Sequence, residues 1–130
     1  MELILQQGLP HQQKAIDAVC KVLDGVAITP PVQFYENPQI DLEDHRLTVN
    51  LQKIQNAIPA EYRSSAPIGP CLNLDIKMET GTGKTYVYPN TIYELHQRYG
   101  LNKFIIAVSS LAIKAGTAQF FQDEYSRRHF

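Results

Sequence analysis

The chain has 130 residues, 44% of them hydrophobic, and its 12 Lys and Arg against 13 Asp and Glu leave a net charge of −1. That length holds one domain at most, and that composition excludes disorder along the whole chain. No apolar run approaches the ~18 residues of a membrane span. The opening Met1-Glu2-Leu3-Ile4-Leu5 lacks the basic stretch and long apolar core of a secretory signal. Near-neutral charge leaves no bulk field to drive nucleic-acid binding, so any such contact has to be local. Cys20 and Cys71 belong to no C-x-x-C pair, and the four histidines show no ligand spacing. The expectation is a reduced, cytoplasmic protein with no membrane contact.

Taken in chain order, residues 10 to 23 predict a helix. Pro10 suits the first helical position, Ala15, Ile16, Val19, Val22 and Leu23 recur on one face, and Gly25 supplies the stop. Residues 26 to 46 read as irregular, broken by Pro30, Pro31 and Pro38, with a short strand expected at Gln33-Phe34-Tyr35-Glu36. Leu47, Leu51, Ile54 and Ile58 fall on one face of a second helix, and Ser64 to Pro70 reads as a linker. Cys71 to Met78 alternates like a strand. A helix follows with Tyr88, Ile92, Leu95 and Tyr99 in register, a kink expected at Pro89, and Gly100 at its end. Phe104-Ile105-Ile106-Ala107-Val108 has the continuous apolar character of a strand covered on both faces. Strand, loop, helix, strand from Cys71 to Val108 is a βαβ unit, and a last helix is expected over Leu111 to Gln122.

Between the first strand and its helix stands Thr80-Gly81-Thr82-Gly83-Lys84-Thr85. Gly81 and Gly83 allow torsions that side chains forbid, so that amide N–H groups can close on phosphate oxygens. The helix that follows turns its positive end to the same phosphates. Lys84 supplies a mobile cation for the outer phosphates, and the Thr85 hydroxyl is placed to coordinate Mg²⁺. The pattern Gly-x-Gly-Lys-Ser/Thr arises by chance in roughly 0.5% of chains this long, and here its strand-before, helix-after context is also present. Met78 stands where the full loop pattern has glycine, and Glu79 is expected to point away from bound phosphate.

The loop, with Leu74 to Lys77 before it and Tyr86-Val87-Tyr88 after it, resembles the superfamily 2 helicase-like motors, and most of all the Res subunit of type III restriction endonucleases. Two further segments carry the resemblance. Leu9 to Ile16 is similar to the glutamine motif, in which the residue matching Gln12 reads the adenine edge; an amide donates and accepts at once, as adenine requires. Val108 to Thr117 is similar to motif Ia, with Ser109 where the family usually has proline; there Ser110 and Lys114 would touch the DNA backbone without reading bases. The plainer reading of that turn is a helix cap at Ser109 or Ser110 with a solvated lysine.

The resemblance implies a partial α/β, RecA-like P-loop domain with a βαβ core and parallel sheet. Residues 1–70 are its helical lead-in carrying the glutamine motif, and residues 71–130 the P-loop unit. It also implies ATP and Mg²⁺ as cofactors, with Thr80, Gly81, Thr82, Gly83, Lys84 and Thr85 at the nucleotide. Double-stranded DNA and a methyltransferase (modification) subunit are the implied partners of the intact protein. No acidic pair follows a clean apolar strand: Asp123-Glu124 comes after Gln119-Phe120-Phe121-Gln122 and reads as a solvated helix face. Two strands also make a poor parallel sheet with long bare edges. The expectation is therefore the N-terminal piece of a larger motor, binding ATP weakly or not at all and without measurable turnover. The competing expectation is a stand-alone nucleotide- or anion-binding module that completes its sheet with a partner or a second copy. A small-molecule kinase shares the loop but predicts neither Gln12 nor the 108–117 match.

Overall fold

The computed structural model describes residues 8–63 and 69–122. The first helix, α1, runs Pro10–Val22, with proline at its first position. Gln12, two residues on, turns back so that its Oε1 accepts the Leu9 N–H at 3.3 Å, which satisfies one of the donors a helix start leaves open. Short strands β1 (Ile28–Thr29) and β2 (Gln39–Ile40) pair antiparallel, Ile28 with Ile40 and Thr29 with Gln39. The expected strand at 33–36 is instead a turn joining them, closed by Glu36 N–H on the Gln33 carbonyl at 3.0 Å. Helix α2 spans His45–Asn56, and one 3-10 turn covers Ala60–Tyr62. Helix α3 spans Lys84–Tyr99 and ends at Gly100, whose φ of +72° is the left-handed conformation glycine favours. Pro89 lies inside α3, buried, without ending it. Helix α4 spans Leu111–Gln122.

Two apolar clusters hold these helices. In the first, Ile16 and Cys20 of α1 meet Tyr86 and Val87 of α3, with Met78 and Phe120 against them. Burial pushes the Cys20 thiol up to about 11, so it packs as a neutral side chain. In the second, Val22, Leu23 and Val26 close on Leu47 of α2, which has no exposed surface. Polar groups finish the joints. Asn50 donates to the Val22 and Asp24 carbonyls at 3.0 and 2.8 Å. The Tyr99 hydroxyl lies 2.6 Å from the Cys20 carbonyl and 2.7 Å from Asp24, tying the end of α3 to the end of α1.

Asp44 caps α2. Its carboxylate accepts the Arg46 and Ala27 backbone N–H groups at 3.0 and 2.8 Å, and its side chain is only 5% exposed. The Arg46 guanidinium, then those two N–H groups, hold the Asp44 carboxyl well below the usual carboxylate range. The unfolded chain therefore takes up this proton first, near pH 4. Stability from this carboxylate is full above that pH and drains away as pH falls toward the lowered folded value. Asp44→Asn is expected to be less stable than the wild type at pH 7, with the gap narrowing at pH 3. Urea midpoints at both pH values measure it, and a gap of constant size would contradict this account.

The expected parallel sheet is not formed among the described residues. Neither 71–78 nor 101–108 makes a backbone ladder, and the two-stranded sheet that does exist is antiparallel and elsewhere. Leu74, Ile76 and Met78 from one and Phe104, Ile106 and Val108 from the other line a single open apolar slot of about 520 Å³, floored by α3. The second segment is anchored at its start by a side chain acting as a strand neighbour. Asn37 Oδ1 accepts from the Asn102 and Lys103 N–H groups at 2.7 and 2.8 Å, and its amide donates to the Lys103 carbonyl at 3.0 Å. Ile105 is left 97% exposed and Leu111 84%. No helix among the described residues is long and apolar enough to cross a membrane.

Candidate functional site

The loop from Met78 to Thr85 is shaped by its two glycines. Gly81 has φ +80° and Gly83 φ +88°, the left-handed region where a side chain is strained. Gly83 is constrained twice over, because a Cβ there would run into the amide nitrogen of Gln12. Thr82 turns its hydroxyl inward to the Glu79 carbonyl at 2.7 Å. The Gly83 carbonyl opens α3 by accepting the Tyr86 and Val87 N–H groups at 2.9 and 3.2 Å. Lys84 reaches back along the loop, its Nζ donating to the Met78 carbonyl at 2.8 Å. Met78 thus does at this position what needs only a carbonyl, whatever the side chain.

Among the described residues, the N–H groups of Gly81, Gly83, Lys84 and Thr85 make no hydrogen bond, while that of Thr82 faces the Glu79 carbonyl across a turn. These four open donors meet the positive end of a 16-residue helix and an exposed ammonium group. That donor set fits a polyphosphate: it is anion-accepting throughout, and the space beside Gly81 is empty to 4 Å. Thr85 stands exposed in the first turn of α3. Glu79 and Thr80 are exposed, and the Glu79 side chain bonds to no described residue.

Gln12 is brought against this loop from 70 positions away. It is 2% exposed, and Nε2 donates to the Thr82 carbonyl at 3.2 Å while Oε1 holds Leu9. In this arrangement its amide serves the loop and the helix start, so adenine would have to draw it away from Thr82. His11, which no pattern in the sequence singled out, reaches the same carbonyl with Nε2 at 2.9 Å. The signal for it was its place beside Gln12 on the first turn of a helix.

Ser110 and Lys114 lie apart from the loop, on α4. The Ser110 hydroxyl accepts the Ile113 N–H at 3.2 Å and its carbonyl accepts from Lys114 N–H at 3.0 Å, so Ser110 is the cap of that helix. Its own O–H remains to donate. Lys114 is exposed and forms no ion pair with a described residue. Asp123 and Glu124 fall outside the described residues, as do Ser64 to Ile68 of the expected linker. No cluster of His, Cys, Asp and Glu among the described residues could hold a metal ion.

Residues 6–129 match the family described as type III restriction enzyme, res subunit (ResIII). The chain belongs to the ResIII family. Curated relatives agree along nearly its whole length. It is 36% identical to the EcoP15I Res subunit of Escherichia coli over 97% of this chain, and 36% identical to the EcoPI Res subunit of Escherichia phage P1 over 96%. The StyLTI Res subunit of Salmonella typhimurium is 38% identical over 98%. The chain spans 13%, 13% and 10% of those relatives. The Res-type expectation is borne out, and the match takes in the middle third, where no motif was legible. Membership in ResIII implies a helicase-like RecA fold, and the described residues supply its loop and helices without a parallel sheet.

Proposed function

We propose that this ResIII chain is the nucleotide-binding portion of an ATP-dependent, DNA-translocating restriction endonuclease subunit. The observation that carries the reading is the set of open N–H donors at Gly81, Gly83, Lys84 and Thr85, shaped by two left-handed glycines, with the Lys84 ammonium beside them. The backbone of Thr80 to Gly83 would enclose the phosphates. Lys84 would leave the Met78 carbonyl for the β- and γ-phosphate oxygens, exchanging one neutral acceptor for anionic ones. Thr85 would supply a hydroxyl ligand to Mg²⁺, which, when bound, neutralises charge between the outer phosphates. Gln12 would select adenine by turning its amide from Thr82. On α4, Ser110 O–H and Lys114 would donate to DNA phosphates, setting position without reading sequence. In the intact protein, hydrolysis would power movement on double-stranded DNA alongside a modification subunit, with cleavage carried by other parts of the protein. The division at residue 70, a glutamine-motif lead-in before the P-loop unit, belongs to the same reading.

Affinity of residues 1–130 alone should be weak, with Kd on the order of 1 mM, equivalent to about −4 kcal/mol. A few charge-assisted bonds must offset the cost of association. Titrating the isotope-labelled chain with Mg²⁺ and ATP to ~10 mM, and following amide resonances, tests this. Saturable shifts confined to 81–85 and their neighbours, larger with ATP than with GTP and without turnover, are expected. Amides of the loop that stay in place throughout would sink the proposal.

A specific observation favours a second reading, a binding module that completes its sheet with added polypeptide. The apolar slot, with Ile105 among its lining residues and 97% exposed, is uncovered surface of the kind that marks an interaction site. Light scattering on the purified chain separates the two. A tight, folded dimer supports the module, whereas a monomer that still shows the nucleotide shifts supports the motor portion.

A further inference from the structure

Among the described residues, the hydrogen bonds from α1 to the loop converge on one atom, the Thr82 carbonyl. That oxygen accepts two donors from the first turn of α1, Gln12 Nε2 at 3.2 Å and His11 Nε2 at 2.9 Å. Two acceptances fill both lone pairs of a carbonyl. The peptide from Thr82 to Gly83 is trans, as are all peptides here, so its carbonyl and the Gly83 N–H point in opposite directions. Fixing the oxygen on α1 therefore turns the Gly83 N–H away from α1. The two holders are not equivalent. Gln12 is buried and also committed to Leu9, whereas the His11 bond is solvent-exposed and is the shorter of the two. If Gln12 turns to a ligand, His11 is what keeps the carbonyl in place.

We propose that His11 is a positioning residue for the phosphate loop: by donating from Nε2 to the Thr82 carbonyl, it aims the Gly83 N–H at bound polyphosphate. The donor is the Nε2–H tautomer or the imidazolium, and either serves. The role rests on the phosphate-loop reading above and adds a residue to it. It requires a hydrogen-bond donor at this position, not an aromatic ring or a particular volume.

Three variants of the chain test it, His11→Ala, His11→Phe and His11→Gln, with Lys84→Ala as reference. Phenylalanine keeps the ring and loses the donor; glutamine loses the ring and carries a donor of similar reach. His11 is exposed, so the variants are expected to fold, which circular dichroism checks. Two quantities are read: the position of the Gly83 amide resonance without nucleotide, and the Mg²⁺-dependent affinity for ATP from the titration. The alanine and phenylalanine variants should both displace the Gly83 resonance and weaken ATP by about 2- to 10-fold, the range of one exposed hydrogen bond. The glutamine variant should return both quantities toward wild type. Wild-type values in the alanine and phenylalanine variants overturn the proposal, and so does a glutamine variant no better than phenylalanine. If the wild type binds ATP no better than Lys84→Ala, the phosphate-loop reading itself fails and this role falls with it.

Discussion

Lys84→Ala is expected to weaken Mg²⁺-dependent ATP binding by about 10- to 100-fold, the equivalent of one charge-assisted hydrogen bond of roughly 1.5–3 kcal/mol. Thermal stability should scarcely change. The folded chain uses this side chain for a single exposed bond, Nζ to the Met78 carbonyl at 2.8 Å, and removing it leaves that carbonyl open to water. Binding, by contrast, would lose the one cation that can leave the loop and follow the outer phosphates. Lys84→Arg should rescue little, because a planar five-donor fork cannot replace a compact ammonium group in so short a loop. The amide titration together with a melting curve checks both halves. An alanine variant that binds ATP within threefold of wild type would remove Lys84 from the site.

Gly83→Ala should destabilise the fold by about 2–4 kcal/mol, and Gly81→Ala by only about 1–2 kcal/mol. Both glycines sit at positive φ, +88° and +80°, so both variants carry the left-handed penalty. Only at Gly83 does the new methyl meet something. Gln12 would be pushed off, losing its bonds to Thr82 and Leu9, each worth about 1 kcal/mol, with no solvent nearby to replace them. The difference between the two variants in urea denaturation isolates the contact between α1 and the loop. Equal losses would mean that Gln12 yields freely and does not brace Gly83. Nucleotide binding should fall in both, since both reshape the donor run.

Helices α1 and α3 were readable because they carry their own boundaries; the apolar repeat located α2, expected over 47 to 58, but not its start at His45 behind the Asp44 cap. Pro10 opens α1, Gly100 closes α3 at φ +72°, and the apolar repeat through Ile16, Leu47 and Leu95 points each helix at a core. The turn at 80–85 was readable for a related reason: glycine at two fixed places states a backbone conformation without reference to anything distant, and both glycines have positive φ. Ser110 was legible only as a choice between phosphate contact and helix cap, and its hydroxyl is found capping α4. What could not be read were partnerships across long separations. Asn37 bonding to Asn102 and Lys103, and Asp44 bonding to Ala27, depend on where chain segments come to rest, which no local period encodes.

Residue order alone therefore indicated which stretches coil into helices and where a two-glycine turn lies, because capping, helical periodicity and glycine torsions act over a few neighbouring residues. Tertiary structure decided the rest. It laid His11 and Gln12 against Thr82, because packing Ile16 and Cys20 on Tyr86 and Val87 brings the start of α1 to the start of α3. It also left 71–78 and 101–108 without a ladder although both line one open slot, since an apolar run becomes a strand only when a neighbouring backbone lies within hydrogen-bonding distance, and that neighbour is a matter of tertiary placement.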